Sequence, residues 1–201
     1  QTPFQKPMVP IGGKPIIEHI MNIYSNYGHK DFYIALGYRG EVIKDYFKNF
    51  KNKDWKINLI DTGSDTLTGG RLKRLEKFLS KETFLLTYGD GISNIDINKL
   101  IEFHNLNKQM VTISAVRPPA RFGSLSLEGN KVVKFQEKKQ LGESWINGGF
   151  FVVNPDFFKF LKNDKTVLEK EPLESITKLN ELKAFRHEGF WQCMDHKLDK
   201  D

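Results

Sequence analysis

A single cysteine, Cys193, stands in the whole sequence, so no disulfide can close within it. Nothing in its cysteine usage asks for an oxidising compartment. No apolar run approaches the roughly 20 residues that a bilayer-spanning helix needs. The opening residues Gln1-Thr2-Pro3-Phe4-Gln5 have neither an initiating Met nor a basic stretch followed by an apolar one, so a secretory signal is not expected. These absences predict a reducing, cytoplasmic setting with no membrane partner, and a sequence that opens partway into a fold. Low-complexity tracts, internal repeats and linkers are also missing, which predicts a single domain over residues 1–201. Nor is the charge concentrated. The net charge is +6, but Lys and Arg run from Lys6 to Lys200 interleaved with acids, apart from short clusters such as Arg71-Leu72-Lys73-Arg74. The aromatic residues fall in buried-strand and helix-face patterns instead of alternating with exposed cations, which argues against nucleic acid and leaves anionic small molecules as partners.

What is present alternates. Ile16, Ile17, Ile20, Met21, Tyr24 and Tyr27 recur at helical spacing between Pro15, suited to a first turn, and Gly28, suited to a C-terminal cap. Phe32 to Leu36 reads as a short buried strand, Val42 to Phe50 as an amphipathic helix and Lys56 to Ile60 as a strand. Leu72, Leu75, Phe78 and Leu79 predict one helix, Thr83 to Tyr88 a strand, Leu100 to His104 a helix and Val111 to Val116 a strand. This rhythm is that of an α/β protein with a mostly parallel sheet covered on both faces. After Pro118-Pro119 come strand-rich segments, Ser124 to Leu127, Val132 to Gln136 and Trp145 to Val153, which predict an antiparallel lobe. Helices are expected near Phe157 to Leu161 and Leu173 to Leu179.

Chemistry concentrates at strand ends. Gly89-Asp90-Gly91 follows an apolar run, leaving a carboxylate where backbone can approach a ligand closely, although a plain turn would use the same residues. Lys6 and Lys14 flank the pair Gly12-Gly13 ahead of a helix, an arrangement able to meet an anion or to serve simply as a surface loop. Thr66-Leu67-Thr68-Gly69-Gly70-Arg71 joins a strand to a helix, with Thr68 placed either as a cap or beside a bound base or phosphate. Glu137-Lys138 is an exposed ion pair or a lysine aimed at phosphate. Asn147-Gly148-Gly149 offers an amide and close backbone to a polyhydroxylated ligand, and Asp195 stands in an aromatic surround. Two distant acids with several lysines and glycine pairs suit a divalent cation clamping nucleotide phosphates. His104 is read as a helix-face histidine and Cys193 as a small packed side chain.

The order Lys6-Pro7-Met8-Val9, Ile11-Gly12-Gly13-Lys14-Pro15, Thr68-Gly69-Gly70-Arg71-Leu72-Lys73-Arg74, Tyr88-Gly89-Asp90-Gly91, Arg121-Phe122-Gly123, Glu137-Lys138, Trp145 to Phe151, Glu171-Pro172-Leu173 and Gly189 to Gln192 resembles the sugar-phosphate nucleotidyltransferases. The likeness covers nearly all of the sequence and favours the cytidylyl branch. It implies a Rossmann-like, mostly parallel mixed sheet flanked by helices with a small antiparallel sugar-binding lobe. It also implies CTP and α-D-glucose 1-phosphate as substrates, CDP-glucose and pyrophosphate as products, Mg2+ as cofactor, a homo-oligomeric assembly and a role in making dideoxysugars for surface polysaccharide. On the same ground Asp90 and Asp195 would hold the metal and share catalysis with Lys6. Thr66, Gly70, Arg71 and Gly89 would serve the nucleotide together with Lys6, and Gly123, Glu137, Lys138, Asn147 and Gly148 the sugar phosphate. Measured against the family, the sequence is expected to lack an opening strand with its glycine-rich loop and a stretch after Phe50. The alternatives are a thymidylyl- or uridylyltransferase and a non-catalytic sugar-nucleotide-binding module.

Overall fold

The computed structural model describes residues 5–51, 54–118, 124–136 and 144–194. In chain order the elements are β1 (Pro10–Ile11), β2 (Lys14–Pro15), α1 (Ile16–Ser25), β3 (Asp31–Leu36), α2 (Gly40–Lys48), β4 (Lys56–Asp61), α3 (Thr68–Arg74), α4 (Glu76–Leu79), β5 (Phe84–Thr87), β6 (Gly91–Ser93) and α5 (Ile97–Asn107). Then follow β7 (Val111–Val116), β8 (Ser124–Glu128), β9 (Lys131–Gln136), β10 (Ile146–Val153), a 3-10 helix at Pro155–Phe160, α6 (Glu171–Lys178), β11 (Leu182–His187) and β12 (Trp191–Cys193).

Local chemistry explains the better-defined boundaries. Pro15 caps α1 in extended geometry, and beyond its end Gly28 takes φ 88° while its N–H bonds Ser25 O at 2.9 Å. At α5 the Asp96 side chain accepts from Lys99 N at 3.0 Å, satisfying a first-turn donor. The single helix expected over Leu72 to Leu79 is two, α3 and α4, broken at Leu75. The helix expected near Phe157 is the 3-10 turn that buries Phe157 and Phe158.

The main sheet runs β11-β7-β10-β5, with β11 parallel to β7 and β10 antiparallel to both of its neighbours. It is the mixed α/β sheet expected, and β10 is the strand that reverses direction in its middle. β3 and β4 pair in parallel, and β8 with β9 forms the antiparallel hairpin expected of the second half. Three apolar clusters hold these layers. One gathers Ile16, Ile20 and Tyr24 with Ile95, Leu100 and Phe150; a second packs α3, α6 and the 3-10 helix against Phe151 and Val153; a third joins Ile17 and Met21 to Leu36, Phe47 and Trp55. Among the described residues β3 and β5 each have one paired neighbour, and both line the same cleft of about 1260 Å³. That cleft leads to the end of β5, where the charged residues collect.

Candidate active site

Past the end of β5, Tyr88-Gly89-Asp90 turns the chain into β6, and the Tyr88 N–H still reaches Gly149 O at 3.1 Å. Asp90 is half-buried. Its Oδ2 lies 3.4 Å from Lys6 Nζ, a pair formed across 84 positions of sequence. Lys6 opens a short 3-10 turn with Pro7, and Pro7 presses on Gly89 so closely that a Cβ there would sit 3.0 Å from Pro7 Cγ. Glycine at 89 therefore lets the lysine turn close on the strand end. On the other side Gln5 Nε2 ties this turn down, donating to Tyr38 O at 2.6 Å and Arg39 O at 2.9 Å.

β12 approaches from the far end of the sequence. It pairs antiparallel with β6 so that Cys193 faces Gly91, and one residue on Met194 N–H donates to Asp90 O at 2.8 Å. Asp195, the next residue, lies outside the described residues, as do Gly123, Glu137 and Lys138. Among the described residues no three His, Cys, Asp or Glu side chains gather as a metal centre. Asp90 fits Mg2+ by its donor type: a half-exposed hard oxygen at a strand end, for an ion that needs only one or two carboxylates and completes its shell from phosphates and water.

The nucleotide-side expectations separate on inspection. Arg71 lines the cleft, but its guanidinium is spent on the ends of β3 and β4, donating to Gly63 O at 2.9 Å, Thr62 Oγ1 at 3.0 Å and Leu36 O at 3.3 Å. Thr66 is buried, and its hydroxyl turns inward to Thr62 O. Gly70 is buried against the Asp164 carbonyl, where a Cβ would come within 2.4 Å of the oxygen; its smallness serves helix packing. Thr68 does not cap α3. Its hydroxyl accepts from Leu168 N at 3.0 Å and donates to Glu169 Oε2 at 2.7 Å.

On the sugar side, β10 is bulged between Asn147 and Phe151, and Gly149 at φ 78° takes up the irregularity. Asn147 Oδ1 accepts from Gly149 N at 2.8 Å, while its Nδ2 donates to Tyr88 Oη at 2.9 Å. Gly148 offers its carbonyl to Trp191 Nε1 at 2.8 Å, tying β10 to β12. Tyr88 Oη in turn donates to Glu169 Oε1 at 2.7 Å, and burial, reinforced by that carboxylate, pushes the phenol above its ordinary range. The phenol thus stays a donor. Tyr88 and Glu169 were missed as site residues in the sequence: Tyr88 looks like the end of an apolar strand, and Glu169 is one of several acids in a charged stretch. His104 sits apart from this chemistry on α5, whereas Cys193 pairs with Gly91 next to it. His104 is buried between Thr112 Oγ1 at 2.8 Å and Asn154 Oδ1 at 2.9 Å.

A lysine paired to a strand-end carboxylate, in an α/β sheet whose cleft opens there, is an arrangement able to meet a phosphate. The chain belongs to the nucleotidyl transferase family, whose pattern matches residues 2–197. More particularly, it is 44% identical to glucose-1-phosphate cytidylyltransferase from Salmonella typhi and from Salmonella typhimurium, across 97% of this chain and 84% of each relative. It is also 29% identical to mannose-1-phosphate guanyltransferase from Saccharomyces cerevisiae, across 98% of this chain and 56% of that one. Among solved structures it resembles HddC from Yersinia pseudotuberculosis, with a TM-score of 0.76 and 26% identity over 98% of this chain and 87% of the other.

Proposed function

We propose that the protein transfers a cytidylyl group from CTP to α-D-glucose 1-phosphate, giving CDP-glucose and pyrophosphate. The observation that carries this is the kinship with the cytidylyltransferases, 44% identical over most of both chains, joined to a Lys6–Asp90 pair at the end of β5. Met194, bonded to the Asp90 carbonyl, is the chain neighbour of Asp195, which supports assigning both carboxylates to one Mg2+. When bound, that ion neutralises phosphate charge as pyrophosphate departs.

A phosphate oxygen of the sugar phosphate attacks the α-phosphorus of CTP, a new P–O bond forms there, and the bond to the bridging oxygen of the β-phosphate breaks as pyrophosphate leaves. No protein nucleophile is needed, because positioning and charge neutralisation lower the barrier. Lys6, 3.4 Å from the half-exposed Asp90 carboxylate, is placed to meet a nucleotide phosphate at the strand end. Gly89, against which Pro7 packs, lets the lysine turn approach the strand end on the nucleotide side. Arg71, with Thr66 and Gly70 behind it, shapes the nucleotide side through the strand ends it ties together. Glu137, Lys138, Gly123, Asn147 and Gly148 hold the sugar phosphate. The reaction is assigned to the cytoplasm and to the supply of surface-polysaccharide sugars on the strength of the same kinship. The exposed Leu125, Leu127 and Phe135 of β8 and β9 are suited to cover by a second copy in a homo-oligomer.

The test is pyrophosphate release with glucose 1-phosphate and magnesium, compared across CTP, UTP, dTTP, ATP and GTP. CTP is expected to lead by at least about tenfold, since a pocket that pairs with the cytosine amino group leaves a buried polar mismatch of ~1–3 kcal/mol with uracil or thymine. A lead for dTTP or UTP would move the protein to the thymidylyl or uridylyl branch, and binding without turnover of any of them would make it a sugar-nucleotide-binding module.

A further inference from the structure

Four side chains around the end of β5 form a hydrogen-bonded chain of which the reaction scheme uses only Asn147. Thr68 Oγ1 and Tyr88 Oη both donate to Glu169, one to each carboxylate oxygen, at 2.7 Å apiece. Tyr88 Oη also accepts from Asn147 Nδ2 at 2.9 Å, and Asn147 Oδ1 accepts from Gly149 N at 2.8 Å. The partners come from α3, the end of β5, β10 and the segment before α6, so no single element holds the arrangement.

The direction of these bonds is not arbitrary. An ionised carboxylate only accepts, so Glu169 claims the one phenol proton of Tyr88. The Tyr88 oxygen must then receive a donor, and Asn147 can supply it only by turning its NH2 toward the ring. That same orientation faces Oδ1 to the Gly149 N–H. Glu169, through Tyr88, and the Gly149 N–H together set which way the Asn147 amide points, although Glu169 itself is exposed and does not touch Asn147 in any bond of the chain.

We propose that Glu169 is a positioning residue for sugar recognition: by fixing the Asn147 amide through Tyr88 it makes binding of the hexosyl part of the ligand selective. Thr68 steadies the second oxygen of Glu169, so a side chain on the nucleotide-side helix acts on the sugar. The inference rests on the cytidylyltransferase reading for the identity of the ligand.

The experiment compares CMP with CDP-glucose, each titrated calorimetrically with magnesium, because the ratio of the two affinities isolates the glucosyl phosphate. Glu169→Ala and Tyr88→Phe are each expected to cut the advantage of CDP-glucose over CMP about tenfold, the scale of one charge-assisted hydrogen bond, with CMP affinity little changed. Thr68→Ala should cut it less. Glu169→Gln, which keeps one acceptor oxygen, should recover most of the loss. Because the residues act in series, Glu169→Ala with Tyr88→Phe should be no worse than Tyr88→Phe alone. An unchanged ratio in Glu169→Ala, or strictly additive losses in the double variant, overturns the proposal while wild-type binding of CDP-glucose leaves the functional reading standing. Wild-type protein that binds neither ligand overturns that reading itself, and the positioning role with it.

Discussion

Replacing Gly149 by alanine perturbs the backbone and the site together, and the two costs can be separated. Gly149 sits at φ 78° in the β10 bulge, a conformation that costs an L-residue ~1–2 kcal/mol. An added Cβ would also lie 2.7 Å from Tyr88 Cδ2. Ordinary carbon contacts are near 3.5–4.0 Å, so the ring must retreat by about 1 Å. Tyr88 cannot move that far and keep both of its bonds, at 2.7 Å to Glu169 and 2.9 Å to Asn147. Losing them adds ~1–3 kcal/mol, giving ~2–5 kcal/mol in all. Gly13 is the control, with φ 84° and nothing within 4 Å of a built Cβ, so Gly13→Ala carries the backbone cost alone. At roughly 2–4 °C per kcal/mol for a domain of this size, Gly149→Ala should melt about 4–20 °C below wild type and Gly13→Ala about 2–8 °C below it. Paired calorimetric melts decide the matter. If Gly149→Ala costs no more than Gly13→Ala, the ring does not hold that position against Gly149 and the reasoning fails.

Asp90→Asn should lower turnover at least about a hundredfold while the melting temperature holds, because its half-exposed pair with Lys6 is worth less than ~1 kcal/mol to folding; retained activity in initial-rate assays would remove Asp90 from the metal site. His104→Ala should cost ~2–4 kcal/mol in urea unfolding, since it opens a cavity and strands the buried Thr112 hydroxyl, yet leave KM for both substrates unchanged. At Glu18, burial pushes the carboxyl up, but Lys14 at 2.8 Å and the Tyr46 hydroxyl outweigh it and hold the carboxyl below its usual range. A carboxyl lowered by folding stabilises the protein above its unfolded pKa, and that contribution disappears as pH falls through the folded one. The stability gap between wild type and Glu18→Gln, followed by urea titration, should therefore be full at pH 7 and close below about pH 4.

Repeating, local patterns were readable in advance. Ile16, Ile17, Ile20, Met21 and Tyr24 mark α1 by spacing alone, because a helix must bury one continuous face. β11 escaped notice because Leu-Lys-Ala-Phe-Arg-His is an edge strand with much of its length exposed, made a strand by its pairing to β7. β6 and β12 are three residues each, too short to show a period. The site divides in the same way. Gly89-Asp90-Gly91 is legible because turn chemistry and an isolated acid are local facts. The Thr68–Glu169 bond spans 101 positions, and neither residue stands out in its own neighbourhood. Thr68 reads as a helix cap or as a residue beside a bound base or phosphate, since hydroxyls at helix starts serve both, but its hydroxyl bonds Leu168 N and Glu169 across the fold.

Helix α1 packs on two cores at once. Its Ile16, Ile20 and Tyr24 belong to the cluster under the main sheet, whereas Ile17 and Met21 belong to the one enclosed by β3, β4 and α2. A single helix thus carries two cores, so a substitution at Ile17 or Met21 is felt around Leu36, Phe47 and Trp55, whereas one at Ile20 is felt under the main sheet. The site draws on different parts of the fold: Met194 of the core under the main sheet bonds the Asp90 carbonyl, while Gln5 anchors the lysine turn to Tyr38 and Arg39 past the end of β3, so carboxylate and lysine are held in place independently.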